Sequence, residues 1–309
     1  MAVHPKIKVI RLSSVHYQHP NLETATKFLL DFGMVEVHRD ESRLYFSGYG
    51  QEQYIYVAEQ SPTSRRAFIG GTFEVESAKD LEIAAAQPNA SQIEDDHGPG
   101  GAKRVNIRDP NGFLVSFIHG QSRRVGSTIT ETNRIVGDEQ PVVNLANEKA
   151  RRGHFRRFNS GPSPVHKLGH YGYLVPQDKY KTTFDWYTSL MNLTPTDTIF
   201  DPKTGDDTTC FMHIDLGPTY TDHHVSKDCS LGTILYLSDW GLQSLFLGVS
   251  PTGKPVFVHH SSYEVNDTDT QALGHKWLHE KGYTNCWGIG RHVLGSQVFD
   301  YWFVKRLPD

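Results

Sequence analysis

Ile7–Tyr17 reads IKVIRLSSVHY and Lys167–Val175 reads KLGHYGYLV. Both carry β-branched or aromatic residues in the pattern of a strand, and the same succession of elements comes after each. After the first, Asn21-Leu22-Glu23 opens a helix through Phe32, with Asn21 as N-cap and Gly33 at its end. Strands come next near 43–47 and 53–58. After the second, Asp178–Met191 reads as a helix, with strands near 196–200 and 209–216. The order recurs at a shorter period. Ala67–Val75 (AFIGGTFEV) is a predicted strand and Ala78–Ala86 a helix. Arg104–Arg108 and Phe113–Ile118 are strands around the turn Asp109-Pro110-Asn111-Gly112. Val256–Val265 (VFVHHSSYEV) is a strand, Thr270–Lys281 a helix, and Asn285–Gly288 and Gln297–Phe303 are strands. The chain thus reads as an α+β fold of four βαβββ units, each needing a neighbour to bury its sheet. Residues 1–120 hold one pair and 166–309 the other. Residues 121–165, polar and marked by Arg151-Arg152 and Arg156-Arg157, read as a linker.

The bulk properties exclude several classes. At 309 residues the chain can build two cores. A net charge of −4 lacks the basic surplus of a nucleic-acid binder. No apolar run approaches the length of a membrane span, and Met1-Ala2-Val3-His4-Pro5-Lys6 has no signal-peptide core. Cys210, Cys229 and Cys286 are widely spaced and odd in number, which reads as free thiols in a reducing compartment, hence the cytoplasm. Histidine is the outlier, 17 in all and concentrated from His154 onward. That clustering suggests a metal or acid–base site in the second half.

Three features carry the chemistry. His170 lies in Leu168-Gly169-His170-Tyr171-Gly172, and His260 lies at the matching first strand of the last unit. Near the C-terminus stand Gly288-Ile289-Gly290-Arg291-His292, Gly295-Ser296 and Phe299-Asp300-Tyr301-Trp302, with His292 and Tyr301 nine positions apart. These residues, and the four units, resemble the vicinal oxygen chelate superfamily and within it the type I extradiol ring-cleavage dioxygenases. The resemblance covers nearly the whole chain and implies sheets curled into open barrels, with Fe(II) inside the second. It implies His170 and His260 as iron ligands. Two ligands of one metal should bring their ring nitrogens to within about 3–3.5 Å. It further implies that His292 and Tyr301 hydrogen-bond the bound catecholate or an oxygen-derived species, and that His224, in Asp222-His223-His224, is the acid–base histidine. The neighbour His259 should point to the opposite face of its strand from His260. In the first half His16 matches His170, but Thr72 and Ser116 stand where further ligands are needed, so that half reads as structural.

Two segments depart from the pattern. Residues 225–243 intervene between the His-His pair and the strand Ser244-Leu245-Phe246-Leu247-Gly248. Val225-Ser226 can be encoded as an intron start, Ser238-Asp239 as a branch point and Gln243 as an intron end. The segment is therefore expected to be either a retained fungal intron, lying outside the barrel, or a loop insertion. The resemblance also calls for a metal-binding Glu ten positions after Tyr301, on a further strand that this 309-residue sequence does not contain. Glu264 shares a face with His260 but lies about 13 Å along the strand, too far to replace it, and Asp309 would reach only if the tail folded back. The function implied is Fe(II)-dependent cleavage of a catechol by dioxygen, weak or absent in the chain as it stands, with no nucleic-acid or membrane partner and with a homo-oligomer as the assembly. The alternatives are an enzyme of the 4-hydroxyphenylpyruvate dioxygenase type and a metal-free aromatic-binding protein of the bleomycin-resistance type.

Overall fold

The chain begins its regular structure with β1 (Val9–His19), whose Val9, Leu12, Val15 and Tyr17 are buried. A computed structural model describes residues 5–125, 146, 160–217, 244–265, 267–293 and 297–304. Helix α1 (Leu22–Phe32) starts where Asn21 accepts a hydrogen bond from the Thr24 amide at 2.8 Å. It stops at Gly33, whose φ of 113° lies in the left-handed region. A side chain there would also strike the Ser163 carbonyl, just ahead of the second half, so the position is closed to other residues twice over. The unit continues through β2 (Val35–Arg39), β3 (Arg43–Ser47) and β4 (Tyr56–Gln60). The second unit is β5 (Ala67–Val75), α2 (Ala78–Ala85), β6 (Glu94–Asp95), β7 (Lys103–Arg108) and β8 (Leu114–His119).

These eight strands form one curled sheet in the order β2-β3-β4-β1-β5-β8-β7-β6. The two units are mirror-ordered about the antiparallel pair β1 and β5, each with its last strand parallel to its first. The second half repeats the plan with β9 (Val165–Val175), α3 (Gln177–Leu190), β10 (Leu193–Phe200), β11 (Asp207–Ile214) and β12 (Leu245–Val249). Then come β13 (Phe257–Val265), α4 (Thr268–Glu280), β14 (Thr284–Arg291) and β15 (Val298–Phe303). Here the sheet order is β10-β11-β12-β9-β13, with β14 and β15 as a separate antiparallel pair. Among the described residues no strand lies between β13 and β15, where the first half has β8 between β5 and β7.

Apolar residues of both halves join one buried cluster, from Val9 and Phe73 to Tyr171 and Leu245. The halves are also latched by polar contacts. The Asn192 side chain accepts from the Val9 amide at 2.8 Å and donates to the Val9 carbonyl at 3.1 Å. Asp31 accepts from the Trp277 indole and the Tyr283 hydroxyl, at 3.2 and 2.8 Å. The predicted turn at Asp109 forms, and Asp109 is buried at 4% exposure. One carboxylate oxygen accepts from the Asn111 and Phe113 amides, both at 2.9 Å. The other accepts from the hydroxyls of Tyr173 and Tyr187, at 2.7 and 3.2 Å. No described helix is long and apolar enough to cross a membrane. Cys210 and Cys286 are free thiols, and Cys229 lies outside the described residues.

His19 makes stability depend on pH. It is buried, with Nε2 2.8 Å from the Tyr56 hydroxyl. Burial first, then the Arg66 and His16 charges, pushes its pKa from 6.5 down to about 3. The unfolded chain therefore takes up the proton first. Its contribution is complete above pH 6.5 and is lost as pH falls through the window down to about 3, at about 1.4 kcal/mol per pH unit. Urea unfolding between pH 6.5 and 4 should show a slope shallower by about that amount in His19→Gln. Equal slopes in parent and variant would assign the pH dependence to other groups.

Candidate active site

β9 and β13 are antiparallel neighbours, with His170 opposite Ser262 and His260 opposite Gly172. The two histidines are thus offset on adjacent strands of one sheet, and their rings turn toward each other. The Nε2 atoms are 2.9 Å apart and the rings lie nearly perpendicular, centroids 5.0 Å apart. Two ligands at right angles on one metal, each about 2.1 Å from it, stand about 3.0 Å apart. The same distance allows one imidazole to donate to the other. Two imidazole nitrogens at this separation fit two positions of a site built from two histidines and a carboxylate. Among the described residues no group of three or more His, Cys, Asp and Glu is placed to hold a metal. Glu264 contacts His166 and Lys167, at 3.5 and 3.8 Å, toward the other end of the strand.

His259 departs from expectation. Simple alternation sends it to the opposite face from His260, but the pairing of β13 with β9 shifts register between Val258 and His260. Such an irregularity breaks the period of two. The Nδ1 atoms of His259 and His260 consequently lie 2.7 Å apart. A proton on His260 Nδ1, donated to His259, leaves the His260 Nε2 lone pair facing His170. The Phe246 ring backs both, with centroids 5.7 and 5.9 Å away. Phe246 in turn needs Gly172, where a Cβ would overlap its ring. His259 is exposed, so His259→Phe should fold normally. Its expected cost is about tenfold in divalent-metal affinity, measured by equilibrium dialysis, because the tautomer is no longer held. Unchanged affinity would make the contact incidental.

Tyr301 reaches the same place from β15. Asp300 and Trp302, flanking it, turn to α4. Asp300 meets His275 at 3.0 Å, accepts from the Trp302 indole at 2.6 Å and from the Asn285 amide at 3.0 Å. Alternation then sends Tyr301 to the opposite side, where its ring lies 5.2 Å from that of His260. His292 Nε2 is 3.3 Å from the Tyr301 hydroxyl. Burial, then Cys286, pushes the Tyr301 pKa up to about 12, so it stays a phenol. Burial first, then His259 and His292, pushes His260 down to about 3, so it stays neutral. Trp287 and Phe299 add aromatic wall beside His292, at 6.0 and 4.2 Å between centroids.

His170, His260, His292 and Tyr301 therefore gather at one place. His223, His224 and residues 225–243 lie outside the described residues, as do Asp309 and most of 121–165. The sequence alone does not single out Phe246, His259 or Trp287 as site residues. Adjacency to His260 is the only signal for His259.

No protein-family model matches the chain. Against solved structures it resembles the 2,3-dioxygenase LapB from a Pseudomonas species, with TM-score 0.70 and 15% identity over 97% of this chain and 90% of that one. It also resembles a Mn(II)-bound glyoxalase from Novosphingobium aromaticivorans, with TM-score 0.68 and 15% identity over 96% and 78% of the two chains. The fold is that of the vicinal oxygen chelate proteins. Homoprotocatechuate 2,3-dioxygenase from Arthrobacter globiformis shares this fold, with TM-score 0.66 and 13% identity over 96% and 82%. In sequence the chain is 24% identical over 304 residues to metapyrocatechase 2 from Cupriavidus necator, covering 97% of this chain and 79% of the relative. Within this fold the gathered histidines sit in the second half.

Proposed function

We propose that the second half, residues 166–309, is the catalytic domain of an Fe(II)-dependent extradiol dioxygenase acting on a catechol, and that residues 1–120 form a domain without iron. The observation that carries this reading is the 2.9 Å approach of His170 and His260 Nε2 with Tyr301 and His292 beside them. The relative named metapyrocatechase and the dioxygenases of like fold support it. His170 and His260 would hold the metal, which supplies chelation of both catechol oxygens and activation of dioxygen. The chain's own residues do the rest. Tyr301, a phenol at neutral pH, donates a hydrogen bond to a substrate or product oxygen. His292, bonded to Tyr301, accepts or returns a proton at Nε2. Trp287, Phe299 and Phe246 line the site with rings and limit water. His224 is proposed as the base that deprotonates the diol.

The balanced reaction joins one dioxygen to one catechol, cleaves the ring beside the diol and places both oxygen atoms in a hydroxymuconic semialdehyde. An oxygen electrode with Fe(II)-loaded protein tests it. Uptake of one dioxygen per catechol, lost on chelation, is expected if a carboxylate joins the two histidines. Catechol consumption with no ring-opened product would refute the reading. The metal-free alternative, binding of a small aromatic, draws support from the lack of a third ligand among the described residues; it predicts catechol binding without oxygen uptake. We place the protein in the cytoplasm as a homo-oligomer.

A further inference from the structure

The first half reads from sequence as structural, yet its curled sheet lines a half-open cavity of about 220 Å³. It lies at the counterpart of the second-half site, since His16 on β1 matches His170 on β9. Its polar lining includes His16, Arg43, Glu59, Thr72, Arg104 and Ser116 from six strands, with Asp96 and His97 from the loop after β6. The walls between them are apolar or aromatic, with Tyr45, Val57, Ile69 and Leu114. Such a mixture of ring-sized apolar wall and a few convergent polar groups is what small-molecule sites share. The volume is below the ~300–1,000 Å³ of drug-sized pockets, which limits the occupant to a single ring.

Charge narrows the class. Asp96 is fully engaged, accepting from Arg104 Nε and the Tyr54 hydroxyl, both at 2.6 Å. Glu59 lies 2.6 Å from His16 Nε2 and only 3.8 Å from Arg43 Nε. Ser116 donates to Asn106 at 2.7 Å. Arg43 holds that ion pair with Glu59, yet its Nε is buried without a hydrogen-bond partner. A buried guanidinium nitrogen facing a cavity calls for an acceptor, and a carboxylate matches its fork. Among the described residues His16 and Glu59 find no third donor to make a metal site.

We propose that this cavity is a second, metal-free site that binds a single-ring aromatic carboxylate, the carboxylate on Arg43 and the ring against the apolar walls. The site is independent of iron and of the His170–His260 pair.

Calorimetric titration of the intact, chelator-treated chain with benzoate tests this. Saturable binding with a dissociation constant of about 1 mM or tighter is expected, together with weak or no binding of neutral benzyl alcohol. Arg43→Gln should weaken benzoate by about tenfold or more. Glu59→Gln, which removes the carboxylate competing for Arg43, should tighten it. His170→Ala should leave it unchanged. Circular dichroism verifies that each variant is folded; if Arg43→Gln is not, the opposite response of Glu59→Gln still decides. Absence of saturation, loss of binding in His170→Ala, or equal affinity for benzoate and benzyl alcohol would each overturn the proposal.

Discussion

His260→Ala should lower Fe(II) affinity by at least about a hundredfold and abolish oxygen uptake. The imidazole is one of two nitrogens that meet 2.9 Å apart, and a single remaining histidine holds a divalent ion no better than a surface residue does. Folding should be spared. His260 is half-buried, and β13 keeps its backbone pairing with β9 after truncation. His170→Ala should give the same loss, and the double variant little more, because two ligands of one ion act as a unit. Added imidazole should restore part of the affinity by occupying the space left. Equilibrium dialysis reads the affinities directly. Losses that simply add in the double variant would mean that the two rings serve separate sites.

Asp109→Ala should cost about 3–5 kcal/mol of folding stability. Its carboxylate accepts four hydrogen bonds, two that close the Asp109–Gly112 turn and two from hydroxyls in the core of the other half. Alanine leaves Tyr173 and Tyr187, both fully buried, without this acceptor, at about 1–3 kcal/mol for each orphaned group. Against a typical total of about 5–15 kcal/mol, that approaches unfolding. Asp109→Asn keeps one carbonyl acceptor and should cost less than half as much. Urea unfolding measures both. A loss below about 1 kcal/mol for alanine would show that the latch is relaxed by water.

The repeat was legible because apolar alternation and the capping residues Asn21 and Gly33 are local signals, and both caps form. Edge strands were not. The β2 residues Val35, Glu36, His38 and Arg39 are exposed, so nothing in their pattern marks a buried face. β6 is two exposed residues long. His170, His260, His292 and Tyr301 were picked out by their resemblance to extradiol dioxygenase positions, and the fold brings them together. The partnership of His259 with His260 could not, because a register shift cancels the alternation that predicts side-chain direction. The first-half cavity was hidden for another reason. Its lining comes from six strands and two loops spread between His16 and Ser116, and only the repeat relates His16 to a site at all.

Whether His170 and His260 share one metal is decided by an anomalous difference map at the iron edge, from crystals grown and soaked anaerobically with Fe(II). A shared ion gives a peak within about 2.2 Å of both Nε2 atoms, close to Tyr301. Iron found elsewhere on the chain, with the two imidazoles still hydrogen-bonded to each other, would contradict a shared site.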